Sequence, residues 1–439
     1  MEERKNRTAA RRSVTVIGAG ASGMTAALTA ARGGCQVTII DRNQRPGKKL
    51  SATGNGKCNF TNAEMGPERY RGGDPAAIAR IIGSFGTSEA VGLFRSLGIE
   101  PAVRNGYYYP ASLQASSVCQ AFSLELKRYG VTVISEVAAR SAGRIHGRFC
   151  VQYMQKDGTV REAASDALIL SCGSPAGVSV PKRAQPVTGY AIAESFGHHL
   201  VPVLPSLCGL HCTDFQKEWA GVRQQGRITV RTQKGETASD CGELQLTDYG
   251  ISGIPVFQVS RLASAALAEG QQVTAELNFR PRETREELRA FLDDRMERFP
   301  SRTAAELLCG IFPPRLIQVM VHRAGISPDG RLTDGPRKER LMDAIQKMEI
   351  RITGTNPISQ AQCAAGGIRL SEIDPGTMES RLVPGLYLTG EMLDADGICG
   401  GYNLQWAWAT GTLAGRAVSG GKDARQRLRF GSPSDREER

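Results

Sequence analysis

A chain of 439 residues, 41% hydrophobic and 23% charged, has the length for roughly three domains and the balance of a folded globular protein. Its apolar runs are far too short to cross a bilayer, and the basic opening Met1–Arg12 lacks the apolar stretch of a secretion signal, so a cytoplasmic protein without a membrane partner is expected. The net charge of +11 raises a nucleic-acid partner, but nearly half of the excess lies in residues 1–12 and 419–439, which read as flexible tails. No basic, aromatic-interleaved RNA signature is present, so nucleic acid is not expected as a partner and the basic surface is read as suited to anionic ligands.

The first element, Ser13–Ile17, is β-branched and reads as a buried strand. Arg11-Arg12 before it imitates a twin-arginine signal, but removing this strand would destroy the motif that follows. That motif is Gly18-Ala-Gly20-Ala21-Ser22-Gly23, running into an alanine-rich helix, Met24–Arg32. Gly33-Gly34 ends the helix, Gln36–Ile40 supplies a second strand, and Asp41 stands at its end beside Arg42. Each part has a mechanical role. Gly18 allows the tight turn, Gly20 lets the backbone approach a pyrophosphate at the helix N-terminus, and Gly23 lets the helix pack on the sheet. Asp41 would accept hydrogen bonds from a ribose, which disfavours a 2′-phosphate and leaves FAD or NAD.

Later elements separate those two. Asp41 is followed by a long glycine- and lysine-rich loop, Arg42–Asn62, suited to run beside an extended cofactor with Lys48 or Lys49 near phosphates. Val131–Val133 with Glu136-Val137 reads as the strand that brings backbone to an adenine, Val137 being the contact. Asp166–Ser171 reads as a buried strand ending in Cys172-Gly173, a glycine turn that would close over the cofactor. Near the far end, Gly385–Leu388 reads as a strand leading to Gly390-Glu391 and Asp394. The turn Gly397–Asn403 then opens a helix from about Leu404 to Val418. Its start, Gly401, Tyr402, Asn403 and Leu404, would offer amides and a positive dipole to the flavin O2/N1 edge, and Glu391 or Asp394 would meet the ribityl chain. Both chain ends thus build one elongated site, and FAD is the expected cofactor.

Between these segments the pattern changes. Arg227–Thr232 and Gln272–Leu277 read as short strands, Arg282–Arg298 as an amphipathic helix carrying Leu288, Phe291, Leu292 and Met296, and Glu349–Thr353 as a strand again. Eleven cysteines are scattered without pairing, and Cys208-Gly-Leu-His211-Cys212 has no further ligands at metal spacing, so no metal is expected.

Several segments resemble the BaiN-like, aminoacetone-oxidase-like family of bacterial FAD-binding proteins. They include Gly47-Lys-Lys-Leu, Gly54-Asn-Gly-Lys-Cys-Asn59, Gly106-Tyr-Tyr-Tyr-Pro110, Thr188-Gly-Tyr190 and Gly250-Ile-Ser-Gly253. Gly366-Gly367, Thr377–Ser380, Gly390-Glu391 and Gly400–Asn403 complete the set, which spans about 13 to 418 in family order. Asn55 within the glycine run, Cys363-Ala-Ala365 and Ile254-Pro255 depart from the family pattern. The resemblance implies an α/β chain with a discontinuous Rossmann-type FAD domain (13–186 and 349–420), an inserted β-rich domain (187–280) and a small helical domain (281–348), the tails being 1–12 and 421–439. It also implies a flavin-dependent oxidoreductase acting on a small molecule. The expected reaction is reduction of an activated C=C bond, as in a steroid or bile-acid enone. Oxidation of a small amine or aminoketone by dioxygen is the alternative, and a nucleic-acid-associated flavoprotein the third class. No second glycine-motif unit and no Cys-x-x-Cys are present, so NADH or NADPH would dock transiently at the flavin face. For catalysis the residues offer Lys57, Asn59, Tyr108, Tyr109 and Tyr402 as candidates, with Cys58 read as a structural thiol and His198-His199 as a folded-surface pair.

Overall fold

A computed structural model describes residues 11–177, 189–214, 216–333 and 335–420. The expected tails therefore fall outside the described residues except for residues 11 and 12, as does Thr188 of the motif set. The chain divides into two compact units, one of Met1–Val203 with Ala365–Arg439 and one of Leu204–Ala364.

In the first unit, strand β1 (Ser13–Ile17) leads to helix α1 (Ala21–Arg32) and strand β2 (Gln36–Ile40). Strands β3 (Thr132–Ile134), β4 (Ala167–Leu170) and β5 (Leu386–Leu388) join them in a five-stranded sheet of order β5-β4-β1-β2-β3. Every pairing is parallel, with Val14 opposite both Ala167 and Val37, Leu168 opposite Leu386, and Thr38 opposite Thr132. Such a sheet is covered on both faces, which is why β4 reads Ala-Leu-Ile-Leu without alternation and is wholly buried. Strand β3 begins one residue later than its sequence pattern suggests, and Val137 lies beyond its end.

Helix α2 (Tyr402–Val418) packs along α1, and small residues make the approach possible. A Cβ on Gly411 would lie 2.4 Å from the Ser22 carbonyl oxygen, and one on Gly415 would lie 2.7 Å from that of Ala26. Trp408 lies one turn before Gly411 and two turns before Gly415 on the same side of α2; its ring stacks on Phe122 at 5.7 Å and its Nε1 donates to the Phe60 carbonyl at 3.0 Å. Phe60 in turn stacks on Phe94 at 3.8 Å. Burial of Trp406, Trp408, Phe60, Phe94 and Phe122 removes roughly 150–250 Å² of surface apiece, so aromatic side chains on both sides of the C-terminal helix add to its packing.

The second unit is a closed six-stranded barrel with helices. Arg223–Thr232, Thr237–Leu246 and Val273–Asn278 alternate inward apolar and outward polar residues, as in Val273, Ala275 and Leu277 against exposed Thr274. The strand Met348–Thr355 pairs with Val273–Asn278 and closes the barrel. It lies in the range 349–420 that the resemblance implied for the returning FAD segment, whereas the second compact unit runs to Ala364. The β-rich and helical parts also share one core, in which Leu277, Leu288, Leu316, Leu341 and Met348 are buried together. Two separate inserts are thus one compact unit here. The charged helix starts at Arg285 instead of Arg282 because Thr284 caps it: its hydroxyl accepts from the Glu287 amide while Glu287 accepts from the Thr284 amide. Among the described residues no helix is long and apolar enough to cross a membrane.

Candidate cofactor site

The glycine loop shows which glycines the protein needs for itself. Gly18 has φ +104°, and its amide donates to the Ile40 carbonyl at 2.8 Å. A Cβ on it would stand 2.3 Å from the Ser171 carbonyl oxygen, and one on Gly23 would stand 1.9 Å from that of Gly18. Gly20 differs. It caps α1 in an extended conformation that any residue adopts, and a Cβ there would meet nothing within 4 Å. The first helical bond runs from the Met24 amide to the Gly20 carbonyl, so the amides of Ala21, Ser22 and Gly23 precede it at the positive end of the helix.

Asp41 is buried, and both carboxylate oxygens are engaged. One accepts from the Ala19 amide at 2.6 Å and the other from the Asn43 amide at 2.6 Å. The acid therefore first clamps the glycine loop to the end of β2. Two oxygens hold about four acceptor sites, so capacity remains for a ribose. Arg42 and Lys48 are exposed. The Val137 amide donates to the Asp41 carbonyl at 3.1 Å, which leaves Val137 only its carbonyl to offer an adenine. Gly173, with φ +67°, has open space where a side chain would be. Cys172 beside it is a poor thiolate, pushed up to about 12 by burial and then by Asp41.

The far end of the chain meets this loop. Gly390 turns at φ +74°, its amide donates to Thr410 Oγ1 at 3.0 Å, and its carbonyl accepts from Trp406 Nε1 at 3.1 Å. A Cβ on it would stand 2.4 Å from Ser22 Oγ. Glu391 pairs with Lys49 at 2.5 Å, so one ion pair ties the loop after β2 to the loop after β5. Asp394 is buried and accepts from the Gly73 amide at 3.0 Å. Asn403 closes the turn before α2 with two 2.8 Å bonds, Oδ1 accepting from the Gly397 amide and Nδ2 donating to the Gly397 carbonyl. Gly400 and Gly401 have φ +131° and +94°, and Gly401 is the cap of α2.

The weak catalytic candidates fare differently from one another. Lys57 is exposed. The Tyr402 hydroxyl donates to the Glu64 carbonyl at 3.0 Å. Asn59 is held beside the cap of α2, where a Cβ on Gly401 would lie 3.0 Å from its Oδ1, and that oxygen is buried without a hydrogen-bond partner. Cys58 is fully buried, and burial pushes its thiol up to about 12. Tyr190 supplies a second buried unpartnered group, its hydroxyl, and nothing in a helical Gly-Tyr-Ala pattern signals that in advance. His198 is not a surface residue. It is buried, with Nδ1 2.9 Å from Glu372 and Nε2 2.9 Å from Ser380 Oγ. Ser380 Oγ also accepts from the Leu382 and Val383 amides, so its own proton goes to His198 Nε2 and Nδ1–H goes to Glu372. The arrangement pins the loop from Leu370 to Val383. At the expected non-metal cysteines, His211 Nε2 lies 2.9 Å from Asn356 Oδ1, and burial pushes Cys208 and Cys212 up to about 11 and 12.

Comparison with known proteins identifies a family and several relatives. The family model described as HI0933-like protein Rossmann domain matches residues 12–417. A 3-dehydro-bile acid delta(4,6)-reductase of Clostridium scindens is 40% identical over 413 residues, covering 92% of this chain and 98% of the relative. A ribosomal RNA dihydrouridine synthase of Haemophilus influenzae is 27% identical over 412 residues, covering 92% and 98%. Among solved structures, a 3-ketosteroid-delta4-(5alpha)-dehydrogenase of Rhodococcus jostii aligns with a TM-score of 0.49 at 14% identity, over 95% of this chain and 99% of that one. With a family model over nearly the whole described chain and a 40% identical relative, the protein belongs to the HI0933-like Rossmann family and is an oxidoreductase.

Proposed function

We propose that the protein is an FAD-dependent reductase of a C=C bond conjugated to a carbonyl in a small organic substrate, such as a steroid or bile-acid enone, with NADH or NADPH as electron donor. The observation that carries this is the 40% identity, across almost the full length of both chains, to a reductase of a 3-dehydro bile acid. The relative that makes dihydrouridine supports the same reaction type, because the uracil bond that gains two hydrogens is also conjugated to a carbonyl.

The residues fit FAD. Gly20 leaves open the space that a pyrophosphate requires, while Asn59 Oδ1 and the Tyr190 hydroxyl are buried polar atoms that lack partners within the protein. In this reading the amides from Gly20 to Gly23 hold the pyrophosphate, with Lys48 and Arg42 as exposed cations for phosphate charge. Asp41 takes the ribose, the Val137 carbonyl and Gly173 border the adenosine half, and the Lys49–Glu391 pair with Gly390 lines the ribityl chain. Gly401 and the amides of Tyr402, Asn403 and Leu404 face the ring end. Asp394 supports this from behind, through Gly73. When bound, FAD supplies hydride transfer between nicotinamide and substrate. The protein's part is to position, exclude water and hold protons. Tyr190 keeps its phenolic proton, because burial, and then the charge of Glu391, raise its pKa.

A second reading, reduction of uridine in RNA, draws on the dihydrouridine synthase relatives at 27% and 28% identity. The reversed direction, amine oxidation by dioxygen, is separated by its products. Protein loaded with FAD and given NADPH or NADH anaerobically should turn over a conjugated 3-oxo steroid. Turnover of uridine-bearing RNA alone would favour the second reading, and peroxide formed from an amine without nicotinamide would overturn both.

A further inference from the structure

Asn59 sits on a backbone fixed on both sides. Cys58 before it is held in the left-handed region at φ +58°, its amide donating to the Thr53 carbonyl at 3.0 Å. Phe60 after it donates to the Tyr108 carbonyl at 2.9 Å and accepts from Trp408 Nε1. The Asn59 side chain is therefore aimed by the fold. Its Oδ1 is buried with no donor, whereas most buried polar atoms of folded proteins are paired.

The surroundings define what is missing. Gly401, at φ +94°, admits Asn59 Oδ1 to the place where a Cβ would lie 3.0 Å away. The first helical bond of α2 runs from the Gln405 amide to the Gly401 carbonyl at 2.9 Å, so the amides of Tyr402, Asn403 and Leu404 precede it. An acceptor lacking a donor thus stands beside a group of donors. The complementary ligand edge carries an N–H next to a carbonyl. The pyrimidine ring of a flavin has that edge, its N3–H lying between two ring carbonyls, whereas a ribityl or ribose hydroxyl has no such fixed pattern.

We infer that Asn59 reads the imide edge of the flavin, with Oδ1 accepting the ring N3–H while the amides at the start of α2 take the neighbouring C2 carbonyl. This rests on the FAD reading above and adds to it a positioning and specificity role for one residue. Leaving this acceptor empty is costly, and so is facing it with a methyl group, so the site should distinguish FAD from an analogue methylated at N3.

The test titrates FAD and 3-methyl-FAD into the apoprotein, following flavin fluorescence. Wild type is expected to bind FAD at least about tenfold tighter than the methyl analogue. Asn59→Ala should weaken FAD binding about fivefold and reduce the preference to below about threefold. Asn59→Asp, which keeps the acceptor, should retain the preference. Wild-type protein that binds both flavins alike overturns the inference without any variant, and so does an Asn59→Ala variant that discriminates as sharply as wild type. Wild-type protein that binds neither flavin overturns the FAD reading itself, and with it this inference.

Discussion

Alanine at position 20 separates what the glycine loop does for the protein from what it does for a ligand. Gly20 has φ −78° and ψ −170°, accessible to alanine, and the added methyl would meet no protein atom within 4 Å. Apoprotein stability should therefore stay unchanged or rise by about 0.4–1 kcal/mol, as the unfolded chain loses freedom. The methyl would instead stand between a pyrophosphate and the amides that hold it. Losing one charge-assisted hydrogen bond costs about 1.5–3 kcal/mol, so FAD affinity should fall roughly ten- to hundredfold. Gly23→Ala is the contrast, since its Cβ would press to 1.9 Å from the Gly18 carbonyl oxygen and the fold itself should suffer. Thermal unfolding of the apoproteins and fluorescence titration with FAD read the two quantities separately. A Gly20→Ala protein that binds FAD like wild type would refute the assignment of this loop to the pyrophosphate.

Asp41→Ala leaves the Ala19 and Asn43 amides without their acceptor, so it should lower apoprotein stability by about 2–4 kcal/mol, measured by denaturant unfolding, before any effect on FAD is considered. Cys58, whose thiol is buried and pushed up to about 12, should resist alkylation of the native protein at mildly alkaline pH, while exposed Cys241 and Cys309 react first in peptide mass spectrometry. Glu372 is pushed up by burial but held below its ordinary value of 4.5 by the His199 amide and both imidazoles, the larger combined effect. Its stabilisation is whole above pH 4.5 and is lost as pH falls through the lower folded value, so the melting-temperature gap between wild type and Glu372→Gln should be steady above about pH 5 and close in acid.

The dinucleotide motif was legible because several local signals coincide within thirty residues. A β-branched strand, spaced glycines, an alanine-rich helix and Asp41 each constrain backbone geometry; the strands are where the pattern places them, and the helix begins at Ala21, three residues before Met24. The contacts of Asp394, Asn403 and His198 were not legible. Their partners Gly73, Gly397, Glu372 and Ser380 are chosen by tertiary approach, and acids or amides at a turn look alike whether they face a ligand or the chain's own amides. The barrel boundary was missed for a related reason. Met348–Thr355 reads as a strand in isolation, but only its pairing with Val273–Asn278 says which unit it belongs to. The empty acceptor on Asn59 was likewise beyond sequence reasoning, since an unpartnered atom is defined by everything that packs around it.

The most direct measurement is anaerobic rapid mixing of the FAD-loaded protein with NADH or NADPH, followed by a conjugated 3-oxo steroid, while the visible absorbance of the flavin is recorded. Rapid bleaching by nicotinamide and return of the colour on adding the steroid are predicted. A flavin that stays coloured with either nicotinamide, or a bleached one that the steroid cannot restore, would contradict the proposed reductase.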